Sequence, residues 1–211
     1  MLDGSHHLVV DDAATLGMIL RTNGLLRLQD LYLAGNGFGD ARMRALFEGL
    51  GRGAVPSLRV LVLSQNDFGP AGAEALATAL RKGAMPKLEK LGLGGNPIGN
   101  QGVATLAAPL RKMPALNELY LHLCEIGDEG VASLVSNLGK DDFKQLETFN
   151  LNYNQITDAG VAKLLAALDA GGLPKLVNDP NMLFSNPASA DVVKAVHDAV
   201  SLTFGTSEDS S

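Results

Sequence analysis

The sequence predicts an α/β solenoid, a right-handed superhelix in which short strands stack into one parallel sheet on the concave side while helices line the convex side. Three observations carry this. Five nine-residue segments superpose without gaps: LQDLYLAGN at 28–36, LRVLVLSQN at 58–66, LEKLGLGGN at 88–96, LNELYLHLC at 116–124 and LETFNLNYN at 146–154. Their starts, Leu28, Leu58, Leu88, Leu116 and Leu146, are spaced 30, 30, 28 and 30 residues apart, a fixed period that marks a repeat architecture. Each segment is followed by a short apolar-glycine step and then by apolar residues at helical spacing. Composition agrees: 36 Leu and 24 Gly in 211 residues, with no Trp and 5% aromatics, suit a small Leu-cored unit used repeatedly rather than one core filled by large rings.

In the strand half of each unit, alternation puts the three Leu side chains on one face and leaves the residues between them on the other. The closing Asn or Cys sits in a buried turn, where an amide can pair with backbone groups that would otherwise be unsatisfied, forming a ladder along the stack. The helix half shows apolar faces such as Val131, Leu134 and Leu138, or Val161, Leu164, Leu165 and Leu168. Asp40, Pro70, Asn100, Asp128 and Asp158 share one repeat position and suit a helix first turn, Pro by its fixed φ and Asp by the helix dipole. Cations follow near the helix ends at Arg52, Arg81-Lys82, Arg111-Lys112 and Lys140. Gly39, Gly69, Gly99 and Gly127 precede the helices and suit a tight entry. Gly72, Gly102, Gly130 and Gly160 lie in the first turns and suit close packing between units, with Arg42 breaking that pattern.

The LxxLxLxxN/C segments resemble the leucine-rich repeat, over nearly the whole chain. Units of 28–30 residues with a full helix resemble the ribonuclease-inhibitor-like subclass, which also occurs in NOD-like receptors and Ran GTPase-activating proteins. On this register residues 28–175 hold five repeats. Residues 1–27 are either a partial repeat or a helical cap: Leu16 and Leu20 align with helix positions, Leu8 with the Ile/Phe position and His6 with the ladder Asn, while Asp3 replaces a core Leu. Leu176 opens a degenerate sixth unit, broken by Asp179 and Pro180. A cap helix is expected from Pro187 to about Leu202, with Ser185 or Asn186 as its cap and Val192, Val193, Val196 and Val200 as its apolar face. Residues 176–204 thus form a C-terminal cap, and 205–211 a polar, disordered tail.

A net charge of −6 argues against nucleic acid or an anionic membrane as partner, since both need a positive field. No apolar run reaches the ~18 residues of a membrane span. One cysteine, Cys124, and no Asn-x-Ser/Thr sequon point to a reducing, cytoplasmic setting. No nucleotide-binding, nucleophile-elbow or zinc motif occurs, and the Gly-rich stretches are explained by the repeat. Cys124 occupies a ladder position, and neither it nor the four His residues read as catalytic or metal-binding. The chain is expected to be no enzyme and to need no cofactor.

What the repeat leaves for function is the outward face of the sheet. Its central column is Tyr32, Val62, Gly92, Tyr120 and Asn150; beside it lie Asp30, Val60, Lys90, Glu118 and Thr148 on one side and Ala34, Ser64, Gly94, His122 and Asn152 on the other. At the edge come Gly35, Gln65, Gly95, Leu123 and Tyr153. These columns carry few charges and all three Tyr, a residue that offers large contact area at low entropy cost. Gly92, Gly94 and Gly95 predict a shallow dip between Val60-Val62 and Tyr120-His122. The expected partner surface comprises Tyr32, Val60, Val62, Lys90, Glu118, Tyr120, His122, Asn150, Asn152 and Tyr153, on a non-enzymatic module that grips a protein. The resemblance implies two alternatives, a GTPase regulator or the sensing repeats of a NOD-like receptor. Weak self-association through an open end repeat is a further expectation.

Overall fold

In the computed structural model the backbone is described over residues 10–22 and 25–205, and the side chains over 13–22 and 25–202. The readings made for Asp3, His6 and Leu8 lie outside the described residues, as does the 205–211 tail apart from Gly205, which belongs to the last helix. Helix α1 (Val10–Arg21) precedes five strand–helix units: β1 (Asp30–Tyr32) with α2 (Gly39–Phe47), β2 (Val60–Val62) with α3 (Pro70–Arg81), β3 (Lys90–Gly92) with α4 (Gly99–Arg111), β4 (Glu118–Tyr120) with α5 (Asp128–Val135), and β5 (Thr148–Asn150) with α6 (Asp158–Asp169). Helix α7 (Ala190–Gly205) closes the chain. The strands form one parallel sheet in the order β1-β2-β3-β4-β5. Register pairs Leu31, Leu61, Leu91, Leu119 and Phe149 across the sheet, so the repeat period is the strand register.

One slab of core joins the layers. Leu61, Leu63, Leu91, Leu93, Leu119 and Leu121 on the strands meet Leu76, Leu106 and Leu134 on the helices, all buried. Each helix packs on the next, from α1 on α2 through to α6 on α7. Helices are about 10 Å wide with side chains and strands sit about 4.8 Å apart, so the stack curves with its sheet on the inside. Leu20 of α1 is buried and Leu16 packs against the core, while Val196 and Val200 of α7 are buried at the other end.

The ladder holds the turns together. Asn66 accepts from the Asn36 and Phe38 amides and donates to the carbonyls of Leu33 and Leu63 at 2.7 and 2.9 Å. Asn96 repeats this toward Leu63 and Leu93, and Asn154 toward Leu121 and Leu151. Cys124 fills the fourth rung with its thiol aimed at the carbonyls of Leu93 and His122 at 3.4 and 3.3 Å. The ladder then continues beyond the five superposed segments. Asn186 donates to Leu151 and Leu183 and accepts from the Ile156 amide.

Asn186 is therefore a ladder rung and not the cap of the last helix, which runs from Ala190 to Gly205 rather than from Pro187 to Leu202. Residues 182–184 run beside β5, accepting from Leu151 at the Met182 carbonyl and from Tyr153 at the Phe184 carbonyl. The sixth unit is two residues longer between its first Leu and its Asn, and Asp179 and Pro180 lie in that insertion.

The polar residues at the helix starts serve the next repeat. One oxygen of Asp40 accepts from Gly69 and Gly72, Asn100 from Gly127 and Gly130, Asp128 from Thr157 and Gly160, and Asp158 from Ser189. This explains the first-turn glycines. A Cβ on Gly160 would stand 2.4 Å from an Asp128 oxygen and 2.8 Å from Ile156 Cγ2. The last-turn arginines act alike at the other pole: Arg111 binds the carbonyls of Leu134, at 2.9 Å, and Ser133 on α5, and Arg81 that of Thr105 on α4. The starts of α3, α5, α6 and α7 and the end of α5 are thus capped partly from the preceding unit.

Candidate functional site

The residues between the inward Leu side chains all point away from the helices, as alternation requires. Tyr32 ends β1 and is 58% exposed. Val60 and Val62 are half-buried on β2, and Asn150 and Asn152 half-buried on and after β5, where Asn150 Oδ1 accepts from the Asn152 amide at 3.1 Å.

At the centre, Lys90, Glu118 and Tyr120 form a closed group. Lys90 Nζ lies 2.7 Å from Glu118 and 4.8 Å from the centre of the Tyr120 ring, and the Tyr120 hydroxyl donates to Glu118 at 2.8 Å. The hydrogen bond to Glu118 raises the Lys90 ammonium above its ordinary value. Burial alone would lift the Glu118 carboxyl, but the Lys90 and Tyr120 bonds outweigh it and hold the carboxyl below the usual range. Burial and then Glu118 raise the Tyr120 phenol. The two charges satisfy each other, so mid-sheet is neutral and amphipathic.

The dip expected over Gly92, Gly94 and Gly95 is not open. The His122 ring lies across Gly94, so close that a Cβ there would meet it at 2.1 Å, and both Gly92 and Gly94 are buried. The missing side chains make room for a neighbour's ring instead of leaving a hollow. Burial lowers the His122 imidazole, and its Nδ1 has no hydrogen-bond partner among the described residues.

Leu123, an edge-column residue outside the expected partner surface, and Phe184, which the register did not place on the sheet face, complete the surface. Each is 53% exposed, and Tyr153, between them in the repeat order, is 47% exposed. The Tyr153 and Phe184 rings meet edge-on with centroids 5.5 Å apart. Counting back from Asn186 would have found Phe184, which takes the same place before its rung as His122 and Asn152 do.

The cysteine is poorly suited to chemistry. Cys124 is fully buried, and burial pushes its thiol up to about 12, far from a reactive thiolate at neutral pH. No helix among the described residues is long and apolar enough to cross a membrane.

A family model described as leucine rich repeat matches residues 56–77, 84–107, 112–135 and 145–165, the strand–helix halves of the second to fifth units. Among solved structures, the tropomodulin C-terminal domain from Caenorhabditis elegans is similar over 92% of this chain and 94% of that one, at 12% identity and a TM-score of 0.50. A structure titled Leiomodin-1 Actin-Binding Site 2 aligns over 94% of this chain and 91% of that one, at 13% identity and a TM-score of 0.48. No curated protein matches the sequence. Repeat period, ladder, sheet register and family match agree that the chain is an α/β solenoid of leucine-rich repeats.

Proposed function

We propose that this protein is a non-enzymatic interaction module that binds a protein partner on the concave face of its sheet, through Tyr32, Val60, Val62, Lys90, Glu118, Tyr120, His122, Asn150, Asn152 and Tyr153. The observation that carries the reading is a curved, low-charge face on which Lys90 and Glu118 neutralise each other, leaving Asp30 as the remaining charge of its columns, and on which Tyr32 and Tyr153 stay open to solvent. Aromatic side chains around a neutral centre match the composition of binding hot spots better than that of an ordinary hydrated surface. The 28–30-residue period and the helix in every unit support the ribonuclease-inhibitor-like subclass. In this reading residues 28–175 are the binding array, 1–27 a partial repeat or helical cap, 176–204 a degenerate repeat with a cap helix, and the single buried thiol suits a cytoplasmic setting.

The test is affinity capture from the cells of origin with the full chain as bait. Tyr32→Ala with Tyr120→Ala removes the captured partner while the protein keeps a cooperative melt, and Lys163→Ala on the outer face of α6 leaves capture intact. Identical partners on wild type and the double tyrosine variant would overturn the assignment.

A further inference from the structure

The residue before each ladder rung has positive φ in every unit: Gly35 and Gly95 at +72°, Gln65 at +56°, Leu123 at +54°, Tyr153 at +53° and Ser185 at +54°. Glycine fits this left-handed conformation without strain, polar residues tolerate it, and a bulky apolar residue is disfavoured there. Yet the fourth and fifth units place Leu and Tyr at this position, side by side in the repeat order, and burial does not repay the strain because about half of each side chain faces solvent. Neither local conformation nor the core accounts for them. Phe184 of the sixth unit, its ring edge-on to Tyr153, extends the same apolar strip. Strained residues that the fold does not need mark sites of function.

The charge around the strip is one-sided. The segments that carry and follow it, 123–135, 148–162 and 182–193, hold Glu125, Asp128, Glu129, Asp158 and Asp191, and the first cations after them are Lys140, Lys163 on the outer face of α6, and Lys194, which pairs with Asp198. None of these five carboxylates takes part in an ion pair among the described residues. Asp128 and Asp158 are spent on the next unit, so it is the exposed Glu125, Glu129 and Asp191 that leave a net negative edge beside the hydrocarbon strip, complementary to a chain segment that carries an apolar anchor next to basic residues.

We propose that Leu123, Tyr153 and Phe184 are the anchor point of the binding face and that their partner is a polypeptide segment with an aliphatic or aromatic side chain flanked by Lys or Arg. This rests on the reading of the chain as a protein-binding module and names its focus and the chemistry it selects.

A displayed library of random peptides, selected on the full chain at low salt, tests it together with the variant Leu123→Gly/Tyr153→Gly. Selected peptides combine an apolar anchor with net positive charge, lose affinity as salt rises, and bind the glycine variant at least about tenfold more weakly. That variant melts at or above the wild-type temperature, because glycine relieves the left-handed strain, which separates lost contact from lost fold. No enrichment, an acidic consensus, or unchanged affinity for the variant would overturn the proposal. So would a wild-type dimer that the variant dissociates in sedimentation, which assigns the strip to a second copy of the chain. If cellular capture is lost with the Tyr32/Tyr120 variant and kept by the glycine variant, this inference fails while the wider reading stands. Capture kept by both fails the wider reading as well.

Discussion

The second and third repeats and the fourth and fifth share one backbone, but the side chains they place on it differ in both layers. On the sheet face the first pair is low, with Val60, Val62, Gly92 and Gly94, whereas the second pair rises with Tyr120, His122, Leu123 and Tyr153. In the buried turns the first pair has two amide rungs, Asn66 and Asn96, while the second has a thiol, Cys124, and an amide, Asn154. At the helix starts Pro70 gives the first pair no carboxylate to pass forward, whereas Asp128 in the second binds the next unit. The framework thus tolerates substitution only where backbone groups stay satisfied, and the outward columns are under no such rule.

The ladder gives the largest expected effect. Asn96→Ala orphans the Asn66 amide in a fully buried turn, leaves the Leu93 carbonyl with only the weak Cys124 thiol and the Leu63 carbonyl with Asn66 alone, at about 1–3 kcal/mol for each group left unsatisfied, so the total is about 3 kcal/mol. Cys124→Ala loses only weak thiol contacts and a small volume, about 1 kcal/mol. Urea denaturation of both variants measures the gap, and equal losses would break the distinction between amide and thiol rungs.

Packing between units comes next. Gly160→Ala drives a Cβ onto the Asp128 carboxylate and costs about 1–3 kcal/mol, as overpacked sites do. Gly102→Ala costs less, because its nearest neighbours are Ile98 Cβ at 3.0 Å and Ala73 Cβ at 3.2 Å with no carboxylate from position 70. Thermal melts of the pair should rank them in that order. Smaller again is Asp128→Ala, which removes the cap on the Thr157 and Gly160 amides for about 1 kcal/mol, while Pro70→Ala removes no such bond.

The smallest effect is a pH dependence that belongs to the second pair alone. Burial over Gly94 depresses the His122 pKa below its ordinary 6.5 in the folded state, so the unfolded chain binds the proton first. The stability this group contributes is whole above about pH 6.5 and declines as pH falls below it, until the depressed folded value is passed. His122→Asn flattens the melting temperature over that window. An unchanged slope would place the titrating group elsewhere.

The framework was largely legible in the sequence because each of its positions has one physical requirement: an inward Leu, a turn amide, a small first-turn residue. The strand starts and their pairing followed from the register. What escaped was contact between units. Asp128 looked like a dipole partner for its own helix, and only the stacking geometry brings its oxygen to Gly160. Gly94 looked like a hollow, and only the rotamer of His122 in the next strand fills it. The sixth rung, Asn186, was hidden by two inserted residues, and with it Phe184 and the extent of the apolar strip. The surface was legible as columns, but exposure separates Tyr153 and Tyr32 from the half-buried Tyr120, and exposure is a three-dimensional property.

A protein partner is proposed to sit on the sheet face, most of all toward the fourth to sixth units. Amide hydrogen exchange on the captured complex tests this directly. Protection gained over residues 118–123 and 148–153, with none over the outer helix 70–81, is the predicted result. Protection confined to the outer helices, with the strand segments unchanged, would contradict it.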